Sequence, residues 1–196
     1  MKANINKLKK RCTWCGDDAL YCDYHDRVWG RPRWDSQDLF AKLCLDGQQA
    51  GLSWITILRK EQTYYAAYDD FSPEKIALYD QSKIDSLLQD PGIVRNKLKV
   101  NSIIKNAKAY LKIEAEEGSF ADYIWSFVGG QPIQNSWESM ADIPIVTPES
   151  EAMSKALKKK GFTFVGPTIC YAYMEAVGMV NDHLTSCPQY HECCSK

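Results

Sequence analysis

Apolar positions along this chain recur mostly at three- and four-residue intervals, the period of a helix with one buried face. Asp35 and Ser36 can cap a helix over about 36–45 that buries Leu39, Phe40, Leu43 and Cys44. A second helix is predicted from near Leu52 to about Tyr68, with Leu52, Ile55, Leu58 and Tyr65 on one face. Ser72-Pro73-Glu74 supplies an N-cap, a proline at the first helical position and an early acid, and Ser82 with Asp85 starts another short helix. After Pro91-Gly92 a long helix is predicted to about Glu117. Its buried stripe is Val100, Ile103, Ile104, Ala107 and Leu111, and Gly118 stops it. Ser119 with Asp122 opens a helix ending at Gly129, Thr147-Pro148-Glu149 caps one running to Lys160 and Gly161, and Pro167 opens the last, to Gly178. Residues 11–34 show no clear period and are predicted irregular; 130–146 are predicted loop, and strand signals are weak. The sum is seven to nine helices with short joints, an all-α single domain.

A chain of 196 residues has room for a sizeable core. The net charge of −1 announces neither nucleic acid nor a lipid surface, although a local basic face suffices for DNA. Met1 to Lys10 is a basic arm with no apolar run after it, so no secretory signal is expected. No stretch approaches the roughly 20 apolar residues of a membrane span. The expected organisation is the arm over 1–10, one domain over 11–190 and a tail over 191–196, in a cytoplasmic monomer.

Eight cysteines are many for such a chain, and in a reducing compartment they pack, react or bind metal. Cys44 and Cys170 fall inside helical patterns and are expected to be buried. Cys12, Cys15 and Cys22 cluster near the start and Cys187, Cys193 and Cys194 near the end, and the three histidines, His25, His183 and His191, fall in the same two clusters. His183 and Cys187 are one helical turn apart. With Cys12 and His25 they make a closed Cys2His2 zinc shell that would tie the two ends together. Cys15, Cys22, His191, Cys193 and Cys194 compete for those places.

Two further stretches carry candidate chemistry. Leu45 to Trp54 packs a carboxylate, two amides, two glycines and an indole into one tight connection. With Trp14, Tyr21, Tyr24, Trp29 and Trp34 nearby in sequence, Trp54 and Asp46 suit a flat polar ligand such as an extruded base. Gly161 to Thr168 joins two helices by a glycine-bounded turn, and the amides of the second helix suit a phosphate. Lys155, Lys158, Lys159 and Lys160 precede it as a local positive face. A second basic strip, Arg95, Lys97, Lys99, Lys105 and Lys108, is expected to be largely solvated. No nucleophile triad, P-loop or dinucleotide fingerprint is present.

Taken together these residues resemble the bacterial 3-methyladenine DNA glycosylase I family. The matching text is Arg11-Cys12-x-Trp14, Tyr24-His25-Asp26-x-x-Trp29-Gly30, and Gly47-Gln48-Gln49-Ala50-Gly51-Leu52-Ser53-Trp54. It continues with Trp125-Ser126-Phe127, Gly161-Phe162-x-Phe164-Val165-Gly166 and Asn181-Asp182-His183-x-x-x-Cys187. The resemblance implies a helix-hairpin-helix glycosylase fold and one structural zinc ion on Cys12, His25, His183 and Cys187. It implies a partner, double-stranded DNA with alkylated bases, and a product, 3-methyladenine, released by hydrolysis of the N-glycosidic bond without strand cleavage. Asp46 and Tyr24 would hydrogen-bond the base as the catalytic pair, Trp54 would stack on it, and Trp14, Trp29 and Tyr21 would wall the pocket. Gly51 and Leu52 would enter the duplex, and Gly161, Val165, Gly166, Thr168 and Lys160 would hold the DNA strand. Asp182 is expected to orient His183. Asp46 departs from the family's frequent Glu and is one methylene shorter, so the backbone or a bridging water must make up its reach. A zinc-clipped binder of alkylation damage without hydrolysis is the competing reading, and 3-methylguanine is the competing lesion.

Overall fold

The computed structural model describes residues 11–194; the basic arm predicted over 1–10 lies outside them, as do the last two residues of the tail. Helices dominate, as the apolar period requires. In chain order they are α1 (Ala19–Arg27), α2 (Ser36–Gln48), α3 (Trp54–Leu58), α4 (Glu61–Ala67), α5 (Pro73–Ile76) and α6 (Gln81–Gln89). They continue with α7 (Lys97–Glu117), α8 (Phe120–Trp125), α9 (Pro148–Lys160), α10 (Pro167–Ala176) and α11 (Gln189–Cys194). Two two-residue strands, β1 (Ile133–Gln134) and β2 (Val180–Asn181), pair in parallel and tie the 130s loop to the chain after α10.

Capping residues set several of these boundaries. Thr147 and Ser150 form a reciprocal capping box at the start of α9, and Gly161, with φ of 106°, ends it. Asn96 caps α7 through the amides of Leu98 and Lys99, so that helix starts after the Pro91-Gly92 turn, as predicted. α6 is capped by Asp80 and not by Ser82.

Other predictions differ from the structure as well. The segment 11–34 is not wholly irregular: Asp18 caps the nine-residue α1 by accepting from the Tyr21 amide. The single helix over 52–68 is two, broken at Arg59 and Lys60, and Leu52 lies outside both with 40% of its surface exposed.

The core lies where α2, α7, α8 and α10 converge, with α9 against α10. Phe40, Leu43, Ile103, Ala107, Phe120, Ile124, Leu157 and Met174 are fully buried there. Cys44 and Cys170 are buried as expected of small apolar side chains. Gly178 turns the chain after α10 at φ of 73°. A Cβ there would come within 2.3 Å of the Pro32 nitrogen, so only glycine lets the 31–33 backbone lie against α10. That contact brings the N-terminal segment over the helix that carries one side of the candidate site.

Candidate active site

α2 is the backbone of the site. Lys42 and Asp46 stand one turn apart on it, both almost fully buried, and form an ion pair. The Lys42 ammonium also lies 3.9 Å from the centroid of the Trp54 ring, which opens α3. The second carboxylate oxygen of Asp46 and the indole Nε1 of Trp54 are buried without a hydrogen-bond partner in the described structure. α1 brings Tyr24 to the same place, its ring 5.4 Å from that of Trp54, and Trp14, Tyr21 and Trp29 complete an aromatic wall. Together with Met140 and Glu175 these residues line a cavity of about 250 Å³, large enough for one flat base and open on one side.

Burial sets the electrostatics. It pushes the Asp46 carboxyl up and the Lys42 ammonium down, and their mutual contact opposes both shifts. The Tyr24 phenol is held well above its ordinary range by burial, with Asp46 adding to it, so it stays protonated and able to donate.

Glu175, facing Asp182, Asp46 and Lys42, is raised well above the ordinary Glu value of 4.5, chiefly by burial and then by Asp182. A folded pKa above the unfolded one means stability present at low pH and lost as pH rises beyond about 4.5. Glu175→Gln should therefore melt higher than the wild type at neutral pH, with the difference closing below pH about 4.5. Thermal melts across pH check this, and a gain that grew toward acid would contradict it.

The connection from α2 to α3 is held from behind. Lys99 Nζ donates to the carbonyls of Gln48 and Ala50, both at 2.7 Å, and Gln48 in turn donates to the Lys99 carbonyl and to Ser102. Lys99 is thus buried and is not part of a solvated strip. So fixed, the 49–52 turn presents Gly51 in open space at φ of 74°, and beside it the exposed Leu52. A second cavity of about 230 Å³ runs from this turn to Thr168 and Ile169 at the start of α10.

α10 opens without a side-chain cap, so its first amides are available, and Gly161 and Gly166 bound the six-residue connection from α9. Within that connection Val165 is buried and its carbonyl accepts from Ser154 Oγ at 2.6 Å. Lys160 is ion-paired with Glu116 and Glu117, so its charge is matched within the protein.

On the far side of the aromatic wall, Cys12, His25, His183 and Cys187 are all buried and their donor atoms lie within 4.8 Å of one another. The separations from Cys12 Sγ and Cys187 Sγ to His183 Nδ1, and from Cys187 Sγ to His25 Nε2, are each 3.7 Å. Sulfur and nitrogen donors on a tetrahedral zinc stand about 3.6 Å apart, so the four side chains could hold such an ion. The other ring nitrogen of His25 meets Asp26 at 2.8 Å, the outer-shell contact that fixes a ligand histidine. Asp182 does not play this part for His183. It accepts from Asn135, Trp137 and Tyr171 and braces the 130s loop. Of the competing thiols, Cys15 and Cys22 bond to backbone carbonyls and Cys194 meets Gln134 and Asn181.

Comparison with known proteins settles the kinship. The family model for methyladenine glycosylase matches residues 14–191. The chain belongs to the methyladenine glycosylase family. The DNA-3-methyladenine glycosylase of Haemophilus influenzae is 51% identical over 181 residues, covering 92% of this chain and 98% of that one. DNA-3-methyladenine glycosylase 1 of Escherichia coli is 49% identical, covering 92% and 97%. A crystal structure of a 3-methyladenine DNA glycosylase I variant in complex with 3-methyladenine superposes with a TM-score of 0.89 at 41% identity, over 91% of this chain and 96% of that one.

Within this family pocket the sequence-predicted residues Trp14, Tyr21, Tyr24, Trp29, Asp46 and Trp54 come together on one cavity. Sequence reasoning missed Lys42, Lys99, Glu175 and Met140. Lys42 was detectable as a lysine four residues before Asp46 on an otherwise apolar face. Met140 sits in a loop with no period to read.

Proposed function

We propose that this chain is a DNA-repair enzyme that hydrolyses the N-glycosidic bond of 3-methyladenine in alkylated double-stranded DNA and leaves an abasic site without cutting the strand. The observation that carries this reading is the cavity itself: an indole face, a tyrosine and a buried carboxylate oriented toward one base-sized space. Relatives about half identical to this chain over nearly their whole length are named for this activity.

Trp54 stacks on the extruded base. Tyr24 donates to its edge, and the free oxygen of Asp46 accepts from its exocyclic amine, a group that guanine replaces with an oxygen at the same position. The aspartate is short, but it lines the cavity and its second carboxylate oxygen has no partner among the described residues. Methylation at N3 already weakens the glycosidic bond, so the site needs no strong general acid. Its task is to bind the altered base better than adenine. Leu52, carried on the exposed turn, fills the gap left in the duplex. The uncapped start of α10, with Gly161, Gly166 and Thr168, holds a backbone phosphate in a helix-hairpin-helix arrangement. Val165 supports that turn from within. Lys155, Lys158 and Lys159 supply its positive face.

Zinc fits the Cys12, His25, His183 and Cys187 donors, and its part is structural: it tethers the N-terminal segment to the chain after α10. Among the described residues no helix is long and apolar enough to cross a membrane, and a monomer in the bacterial cytoplasm suits this work.

Chromatography of bases released from methylated duplex DNA tests the reading. Release of 3-methyladenine, with the strand intact until alkali is added, is the expected result. Retained binding to methylated DNA with no base released would favour the damage-binder instead.

A further inference from the structure

α7 holds two separate surface elements from behind. At Lys99 it grips the turn between α2 and α3: the ammonium donates to the Gln48 and Ala50 carbonyls, both at 2.7 Å, and Leu52 is carried just beyond them. Further along, at Asn106, it grips the connection between α9 and α10. The Asn106 amide nitrogen donates to the Thr163 carbonyl at 3.1 Å, and its oxygen accepts from the Thr163 amide at 2.8 Å. The seven positions from Lys99 to Asn106 bring the helix almost back to the same face, so the two grips lie on one side of α7, about 10.5 Å apart along its axis. Both side chains are buried, and both bond to backbone groups that lie outside any helical or strand ladder. On the outer surface the cavity that runs from Gly51 to Thr168 separates the two elements, so the grips on α7 tie them together from the inside.

We propose that Lys99 and Asn106 are positioning residues that set the register between the nucleotide extruded from the duplex and the strand phosphate held at α10. The inference rests on the glycosylase reading, in which Leu52 enters the duplex and the start of α10 holds a phosphate. An extruded base reaches the cavity when the gap in the duplex stands opposite the turn while the phosphate sits on α10. Either element can meet DNA by itself, and it is their fixed spacing that brings the damaged nucleotide to the mouth of the pocket. A misplacement of about 1 Å can cost on the order of 100-fold in rate. The residue types suit the task. A compact ammonium has donors enough for two carbonyls from different residues, and an amide both donates and accepts, which matches the two backbone groups of Thr163.

Single-turnover release of 3-methyladenine from methylated duplex DNA, at saturating protein, tests this for the wild type, Lys99→Met, Asn106→Ala and the double variant. Binding of undamaged duplex and thermal melts are measured beside it. Each single variant should lower the saturated rate by about tenfold or more, while duplex affinity changes by less than about threefold. The register is lost once either grip is released. The double variant should therefore be at most about threefold slower than the slower single one, although the two losses in melting temperature add. Lys99→Arg, which keeps donors for both carbonyls, should recover most of the rate. Lys99→Gln takes the place of Lys99→Met if the latter unfolds below the assay temperature. Rates that follow the loss of stability, that multiply in the double variant or that stay at the wild-type value overturn the role of the two residues and leave the glycosylase reading standing. A wild type that binds duplex DNA and releases no base overturns both.

Discussion

Cys187→Ala is expected to reduce the zinc content from one ion per chain to none and to lower the melting temperature by about 10 °C or more. The four donors are buried where the N-terminal segment meets the chain after α10. Among the described residues the apolar cluster around them holds Cys12, Leu184 and Cys187 as buried members, edged by half-buried Trp14, Trp137, Met140 and Ile143. Without the ion, the two thiols and two imidazoles keep among themselves only S···N contacts of 3.7 Å. Breaking such a shell costs on the order of 4 kcal/mol or more even when the main core persists, and each kcal/mol moves the midpoint by roughly 2–4 °C in a domain of this size. Strong chelators should reproduce the loss in the wild type. Elemental analysis with scanning calorimetry decides it: a metal-free preparation that melts with the wild type would remove the tether from the account.

Trp54→Ala is expected to lower kcat/KM for base release by about 100-fold or more, while binding to duplex carrying an abasic site changes by less than about tenfold. On the proposed function the indole is the stacking plate, and stacking of one base on an aromatic side chain contributes roughly 1–3 kcal/mol. Removing it also frees Lys42 from its ring contact and opens space beside Tyr24. The two readouts separate the pocket from the DNA-gripping surface, because Leu52 and the start of α10 do not need the ring. Trp54→Phe keeps a smaller plate and should recover most of the rate. Equal losses in both readouts would mean that Trp54 supports the fold rather than the base.

The parts of the fold that were legible in the sequence are those set by local chemistry. α9 begins and ends where Thr147-Pro148 and Gly161 place it, because caps act within one turn. α1 was hidden because its side chains are buried in two directions, Tyr21 and Tyr24 toward the cavity and His25 toward the cysteines, which erases a one-faced period. The break between α3 and α4 has no proline or glycine to announce it. In the site, the aromatic residues were readable from composition and from the family text. Lys99 was not, because a lysine is ordinarily a solvated residue and only the third dimension supplies the carbonyls that retain it; Lys42 was marked by nothing but its place four residues before Asp46 on an otherwise apolar face. Lys160, read as part of a positive face, is ion-paired at the surface with Glu116 and Glu117.

Trp14 and Trp29 stand between the cavity and the Cys/His cluster, each with one side on the other's territory. Trp29 meets the His183 ring at 4.5 Å, Trp14 meets His25 at 5.3 Å, and both also line the cavity. On the proposed function, such a shared wall would make a bound ion and a bound base linked ligands. Whatever factor the ion contributes to base affinity by fixing those rings, the bound base must return to ion affinity. A cell short of zinc would then lose repair capacity twice, through fewer tethered molecules and through a looser grip in those that remain, and a lesion held in the pocket would guard the ion against competing chelators.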